Sequence, residues 1–267
     1  MSPFFFWSVV CFVLGLITGS FLNVCVYRMP RGLSIITPPS HCPECNSRIL
    51  WYDNIPVVSY LFLKGRCRRC GRPISPLYLV VEVITALLFL SAYLFSDTLP
   101  EIMFRIVLFS ILVLASFIDI KHFIIPDESN LIGFIFAVLM SALFPYLQGC
   151  DVWYMALADS LLGAFTGFLT LGFVSFAGSR LLKKDAMGFG DVKFIAMIGA
   201  FAGWKLVLLT IMTASLIGAV LGGALMLFKN RNLKGRIPFG PYLAAGTVIS
   251  VLFGKSIIGW YFSFCGI

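Results

Sequence analysis

The stretch Gly188-Phe189-Gly190-Asp191-Val192-Lys193 has strongly apolar sequence on both sides. Asp191 therefore opens or adjoins an apolar helix, where an ionisable group is expensive. The two glycines leave the backbone bare, so the chain can bend there and another chain can come close. A carboxylate beside such backbone at a membrane edge points to chemistry on a peptide or another extended substrate. A Gly-rich turn with Asp191 as helix N-cap accounts for the same residues more simply. A partner group elsewhere in the chain has to decide between the two.

The 267 residues are 60% hydrophobic and only 12% charged, with a mean hydropathy of +0.97. Soluble domains carry about 25% charged residues, so the bilayer is the main solvent of this chain. The fold expected is an all-α polytopic membrane protein with about eight transmembrane helices. The spans fall at Phe4–Tyr27, Leu77–Phe95, Ile102–Ile120, Leu131–Leu147, Tyr154–Gly178, Val192–Gly203, Leu206–Phe228 and Tyr242–Phe264. The first is too long for a signal-peptide core and has no basic segment before it, so it reads as a retained span. Within it, Gly15, Gly19 and Ser20 are small residues suited to close helix packing, and Asn23 is a polar residue at membrane depth, by default a packing hydrogen bonder.

The net charge of +8 would fit nucleic acid, but its placement argues against that partner. Between Arg28 and Pro76, eight basic residues stand against Glu44 and Asp53 alone. With this loop in the cytoplasm and the N-terminus outside, alternation of eight spans puts seventeen of the twenty Lys and Arg inside; Lys121, Arg180, Lys183, Lys184, Lys193, Lys229, Arg231, Lys234 and Arg236 join the loop. Only Arg105, Lys205 and Lys255 fall elsewhere. That is the bias the positive-inside rule demands.

The same topology supplies a partner for Asp191. Asp119 ends the third span on the inner side, in Asp119-Ile120-Lys121-His122-Phe123-Ile124-Ile125-Pro126-Asp127. The two acids are seventy-two residues apart in sequence, yet at one depth and on one side. Two close carboxylates resist simultaneous ionisation and hold a shared proton. The ionised member can activate water while the protonated one polarises a scissile carbonyl. The alternative is two surface helix caps near basic loops, and paired acids within the membrane favour function over it. Asp127, after Pro126, suits a helix cap; Glu82, inside the second span, must pair, stay protonated or face a cavity; His122 fits a solvated interface.

Cys42-Pro43-Glu44-Cys45 and Cys67-Arg68-Arg69-Cys70 form a CxxC…CxxC pattern in a proline-rich loop with little core of its own. Four thiolates from two knuckles make a closed tetrahedral zinc site whose metal supplies folding energy. The reducing side of a membrane disfavours disulfides. A pair of redox CxxC motifs is the alternative, without the βαβ context such motifs usually have. Cys11, Cys25, Cys150 and Cys265 are scattered in or near apolar runs and read as packing residues.

Further segments complete a pattern: Gly19-Ser20-Phe21-Leu22-Asn23-Val24 leading to Tyr27-Arg28-Met29-Pro30, Asn54-Ile55-Pro56-Val57 between the cysteine pairs, and Val81-Glu82. Together with the Asp119…Pro126-Asp127 and Gly188–Lys193 segments, they resemble the bacterial type IV prepilin peptidases, which are leader peptidases and N-methyltransferases. The last segment is also similar to the GxGD signature of intramembrane aspartyl proteases. The resemblance implies cleavage of a basic leader after Gly in prepilins and pseudopilins at the cytoplasmic face of the inner membrane. It implies methylation of the new N-terminus with S-adenosylmethionine. Asp119 and Asp191 take the places of the family's catalytic acids, while Lys121 stands where many relatives carry another Asp. Membrane lipid is the remaining partner.

By this reading residues 1–27 are the first transmembrane helix. Residues 28–76 are a cytoplasmic tetracysteine zinc domain associated with methylation. Residues 77–267 are an aspartyl peptidase domain of about seven transmembrane helices. No GxGxxG fingerprint marks a donor site. Two other functions use the same features: a proton-coupled transporter with paired acids, although no repeated halves are visible, and a peptidase without methylation.

Overall fold

A computed structural model describes residues 2–182, 187–229 and 238–264. Lys183, Lys184, Arg231, Lys234, Arg236 and Cys265 lie outside them. The described chain is helical, with no strand beyond two isolated antiparallel bridges in the cysteine loop. Its helices are α1 (Pro3–Arg28), α2 (Val58–Phe62), α3 (Leu77–Leu94), α4 (Leu99–His122), α5 (Asp127–Leu143), α6 (Trp153–Leu182), α7 (Phe189–Lys229) and α8 (Gly240–Phe264). Among the described residues six helices are long and apolar enough to cross a membrane: α1, α3, α4, α6, α7 and α8. Helix α5, at 17 residues, is about 25 Å long, just short of the hydrocarbon thickness of about 30 Å.

The chain divides into two compact units, Met1–Ile118 and Asp119–Ile267. In the first, α1 lies against α3. A Cβ added at Gly15 would come within 2.5 Å of the Ala86 Cα, and one at Gly19 within 2.7 Å of the Glu82 Cα. The small residues of α1 therefore set how closely the two backbones approach, as expected of membrane helices. Asn23 donates to the Tyr78 carbonyl at 3.0 Å, the packing role its position suggested. Leu22, Cys25, Val26, Val81, Val113, Leu114, Phe117 and Ile118 form the core of this unit.

In the second unit the sixth and seventh spans join without an intervening loop. Over the 41 residues Phe189–Lys229 two helices meet at a kink, where the one non-helical residue is Gly203, at φ 73 and ψ 170. A straight helix of that length would reach about 60 Å, twice the hydrocarbon thickness. The break at Gly203 makes two segments of it. Positive φ favours glycine there, and a Cβ would also stand 2.3 Å from the Asp159 Oδ2. The break frees carbonyls that lipid cannot satisfy. Ser160 donates to Ala200 O at 2.8 Å, and the Gln148 side-chain amide donates to the same oxygen at 3.0 Å and to Phe201 O at 3.4 Å.

Gly19→Val is expected to force α1 from α3 and destabilise the protein by about 1–3 kcal/mol. The measurement is the melting temperature in detergent, and an unchanged value would contradict this packing.

Candidate active site and metal centre

Asp119 sits in the last turn of α4 and is buried. Its Oδ2 accepts the Gly240 N–H at 2.9 Å. Gly240 opens α8, so this N–H is one of the donors that a helix start leaves without an intrahelical partner. The positive end of the helix faces the carboxylate. A Cβ at Gly240 would stand 2.8 Å from that oxygen, so the contact requires glycine. Gly240 escaped the sequence reading, which began the last span at Tyr242. The visible signal was Pro238-Phe239-Gly240-Pro241, a glycine and proline at the head of an apolar run.

Asp191 is buried as well. It is the third residue of α7 rather than its N-cap, and its N–H donates to the Gly188 carbonyl at 3.1 Å. Its carboxylate reaches back to a backbone hydrogen bond at Gly188, in the manner of the acid in a capping box. Oδ1 is buried with no hydrogen-bond partner among the described residues. Asp191 is close enough to Asp119 for the two charges to interact. The structure thus brings together the two acids that the topology paired. Around them the glycines leave room: a Cβ at Gly190 would make only ordinary contact with Ile125, at 3.5 Å.

The cap expected at Asp127 does not form. Pro126 holds the cap position without a side-chain hydrogen bond, and Asp127 is the first helical residue. Its carboxylate instead pairs with Lys193 at 2.7 Å. A helix start attracts acids through its dipole wherever they stand in the first turn, and a lysine within reach takes the side chain. Glu82 is buried in α3 and accepts the Val57 N–H at 2.8 Å. His41 has its Nδ1 3.2 Å from the Pro39 carbonyl.

The four cysteines of the loop converge, with all four sulfurs within 4.8 Å of one another. The two knuckles repeat one geometry. Cys42 N–H donates to Ser47 O and Asn46 N–H to Cys42 O; likewise Cys67 N–H donates to Arg72 O and Gly71 N–H to Cys67 O. Asn46 and Gly71 both take positive φ, at 54 and 69. The Cys42 and Cys70 sulfurs are 3.9 Å apart; a tetrahedral site with metal–sulfur bonds near 2.3 Å has sulfur–sulfur edges of about 3.8 Å. The Ser47 side chain, then its backbone, hydrogen-bond the Cys45 sulfur and lower its pKa to about 6. At Cys70 the backbone bond from Arg72 acts downward, but burial and the neighbouring thiols prevail and push the pKa up to about 11. Four adjacent thiols that cannot all ionise on their own are a donor set completed by a cation. The residues fit a metal, and the cysteines are free of disulfides. Cys11 and Cys25 are buried, as packing residues should be.

Apolar spanning helices, two buried acids at helix ends and a four-cysteine cluster mark a polytopic membrane protein with a candidate catalytic pair and a candidate metal site. Residues 13–96 match the bacterial peptidase A24 N-terminal domain, and residues 106–223 match the type IV leader peptidase family. The prepilin leader peptidase/N-methyltransferase of Aeromonas hydrophila is 35% identical over 97% of this chain and 94% of its own. That of Pseudomonas aeruginosa is also 35% identical, over 97% and 94%. The Myxococcus xanthus protein of the same description is 40% identical over 84% of this chain and 64% of its own. The chain belongs to the type IV leader peptidase family. No solved structure matches it.

The purified protein is expected to hold one metal ion per chain by elemental mass spectrometry. Cys42→Ser or Cys67→Ser should lower that content. Because the ligands bind as thiolates, retention should weaken as the pH falls and protons compete for the sulfurs. Metal content equal to the parent's in both variants would overturn the assignment.

Proposed function

We propose that this protein cleaves the basic leader from prepilins and pseudopilins with Asp119 and Asp191 as its catalytic pair, and methylates the new N-terminus. The carrying observation is the burial of both carboxylates at helix ends within electrostatic reach of each other. Each carboxylate accepts one backbone N–H, and the roles are assigned by the oxygen left over. Asp119 accepts the Gly240 N–H at Oδ2, an arrangement that suits the ionised member. It takes the proton from the attacking water. Asp191 carries the shared proton and turns it on the scissile carbonyl through Oδ1, which has no hydrogen-bond partner among the described residues. Collapse of the tetrahedral intermediate breaks the C–N bond, and a proton from the pair reaches the leaving amine. No metal enters this step.

The active site and the cysteine loop face the cytoplasm of the inner membrane in this reading, in contact with membrane lipid. Residues 1–27 are the first span, 28–76 the zinc domain and 77–267 the peptidase domain. Zinc suits four thiolates in a closed site, where it has a structural role. S-adenosylmethionine supplies the methyl group.

A pilin precursor co-expressed with the protein and analysed by mass spectrometry reports cleavage and methylation together. Asp119→Asn and Asp191→Asn are each expected to reduce cleavage at least about 100-fold while the protein still inserts. Gly240→Ala, which crowds Asp119, is expected to cost on the order of 100-fold. Normal cleavage by both Asn variants would sink the pair. Cleavage without added methyl mass would leave a peptidase alone.

A further inference from the structure

One buried polar side chain in the second unit has no task in this mechanism. Five side-chain atoms are buried with no hydrogen-bond partner among the described residues. Two are single hydroxyls, on Thr210 and Ser250, and one is the Asp191 Oδ1. The remaining two are the Nδ2 and Oδ1 of Asn130, so both ends of one carboxamide are unpaired. Asn130 is only 5% exposed. Its neighbour Ser129 is buried too, but donates to the Pro126 carbonyl at 2.9 Å. A carboxamide offers two donors and an acceptor, and burying it unpaired costs stability. Nearly all buried polar groups in native proteins are paired, so this one calls for a reason.

Three contacts fix where the amide lies. A Cβ at Gly190 would stand 3.5 Å from the Ile125 Cβ. Asp127 pairs with Lys193 at 2.7 Å. The Phe136 and Phe201 rings are 6.2 Å apart. Helix α5 therefore runs parallel to the first segment of α7, and both start from the level of Asp191. On α5, Asn130 shares one helix face with Gly133, Ala137 and Ser141, all buried. The Ser141 hydroxyl accepts from the Gln148 amide, which also donates to the Ala200 and Phe201 carbonyls of α7. That face thus packs towards α7. With a rise of about 1.5 Å per residue, Asn130 lies about 4.5 Å beyond the Asp127–Lys193 pair, and Asp191 about 3 Å before it. An extended chain covers the sum of these in about two residues.

We propose that Asn130 binds the substrate's backbone about two residues past the scissile bond, on the side that continues into the bilayer. Its Oδ1 accepts a peptide N–H and its Nδ2 donates to a carbonyl. A helical precursor has to unwind before one of its peptide bonds can meet a pair of acids. Within the membrane, every backbone group that unwinding releases needs a partner. A carboxamide carries the donor and the acceptor of a peptide unit, so it replaces the lost ladder on both counts. It reads backbone rather than side chain, which suits precursors of differing sequence. The free protein bears the cost of the unpaired amide, as sites that trade stability for activity do.

The inference rests on the peptidase reading, and the test separates the two. Cleavage of a pilin precursor by the purified protein in detergent gives KM and kcat, and the same samples give melting temperatures. Asn130→Leu removes donor and acceptor at similar size, and Asn130→Ala removes them without overpacking. Each is expected to raise KM about tenfold, the worth of two hydrogen bonds, with kcat nearly kept. At least one should melt no lower than the parent, because no bond within the folded protein is lost. Lower melting temperatures in both would show that the amide is satisfied inside the protein and would overturn the proposal. So would a parental KM in both, including a fall in kcat alone, the sign of a disturbed aspartate pair. A precursor with an ester in place of the peptide bond two residues after the cleavage site lacks the N–H concerned. The parent should cleave it less well, and Asn130→Leu should treat it like the normal precursor; an equal loss in both would contradict the assigned contact. A parent that cleaves no precursor sinks the peptidase reading itself, whereas cleavage with any of the other contrary results removes Asn130 alone.

Discussion

Inside a bilayer, a backbone N–H or C=O that leaves its helical ladder must find a partner within the protein. That constraint organises both units. Where α7 breaks at Gly203, Gln148 and Ser160 take up the freed carbonyls. Where α8 starts, Asp119 accepts the first N–H. Where α7 starts, Asp191 reaches back to Gly188. Outside the spans the same need arises where burial replaces lipid: the loop turns sharply at Val57, and Glu82 accepts its N–H. The buried acids are thus hydrogen-bonded to the ends and bends of the scaffold. The fold therefore holds these carboxylates in place through bonds that the backbone requires in any case.

This dual use explains what the sequence made legible. Hydropathy locates the spans because the bilayer imposes both their length and their composition. Charge bias then orders them, and order alone places Asp119 and Asp191 at one level. The cysteines are legible because a knuckle is local: two residues between thiols fix the geometry whatever surrounds it. Gly240 is of another kind. It acts through a backbone N–H, which every residue but proline carries, on an acid 121 residues away. Only its missing Cβ is specific, and a missing side chain is a weak signal in one sequence. Asp127 was misread for a related reason. Acid is favoured throughout a helix's first turn, so the dipole argument places the charge there without deciding between a cap and the pair with Lys193.

Spans six and seven show both what hydropathy reads and what it misses. The apolar stretch is interrupted near Gly203, two spans follow from that, and the structure has two helices there, joined at that one residue. The interruption is cheap because its carbonyls are satisfied by side chains from residues 148 and 160, which a scan of the broken stretch never includes.

Peptide hydrolysis by paired acids, the reading proposed for Asp119 and Asp191, needs a shared proton and a water, so the carboxylates must lie where both can reach them. The bare backbone beside Asp191, where a Cβ at Gly190 would make only ordinary contact with Ile125 at 3.5 Å, leaves that room. The four cysteines meet a different need. Their sulfurs lie within 4.8 Å of one another in a loop whose residues supply little apolar core, so a bound cation would do for the loop what burial does for the helices. The same chain thus meets two demands by two means: backbone bonds fix the acids at the helix ends, and side-chain donors gathered by two local turns fix the loop.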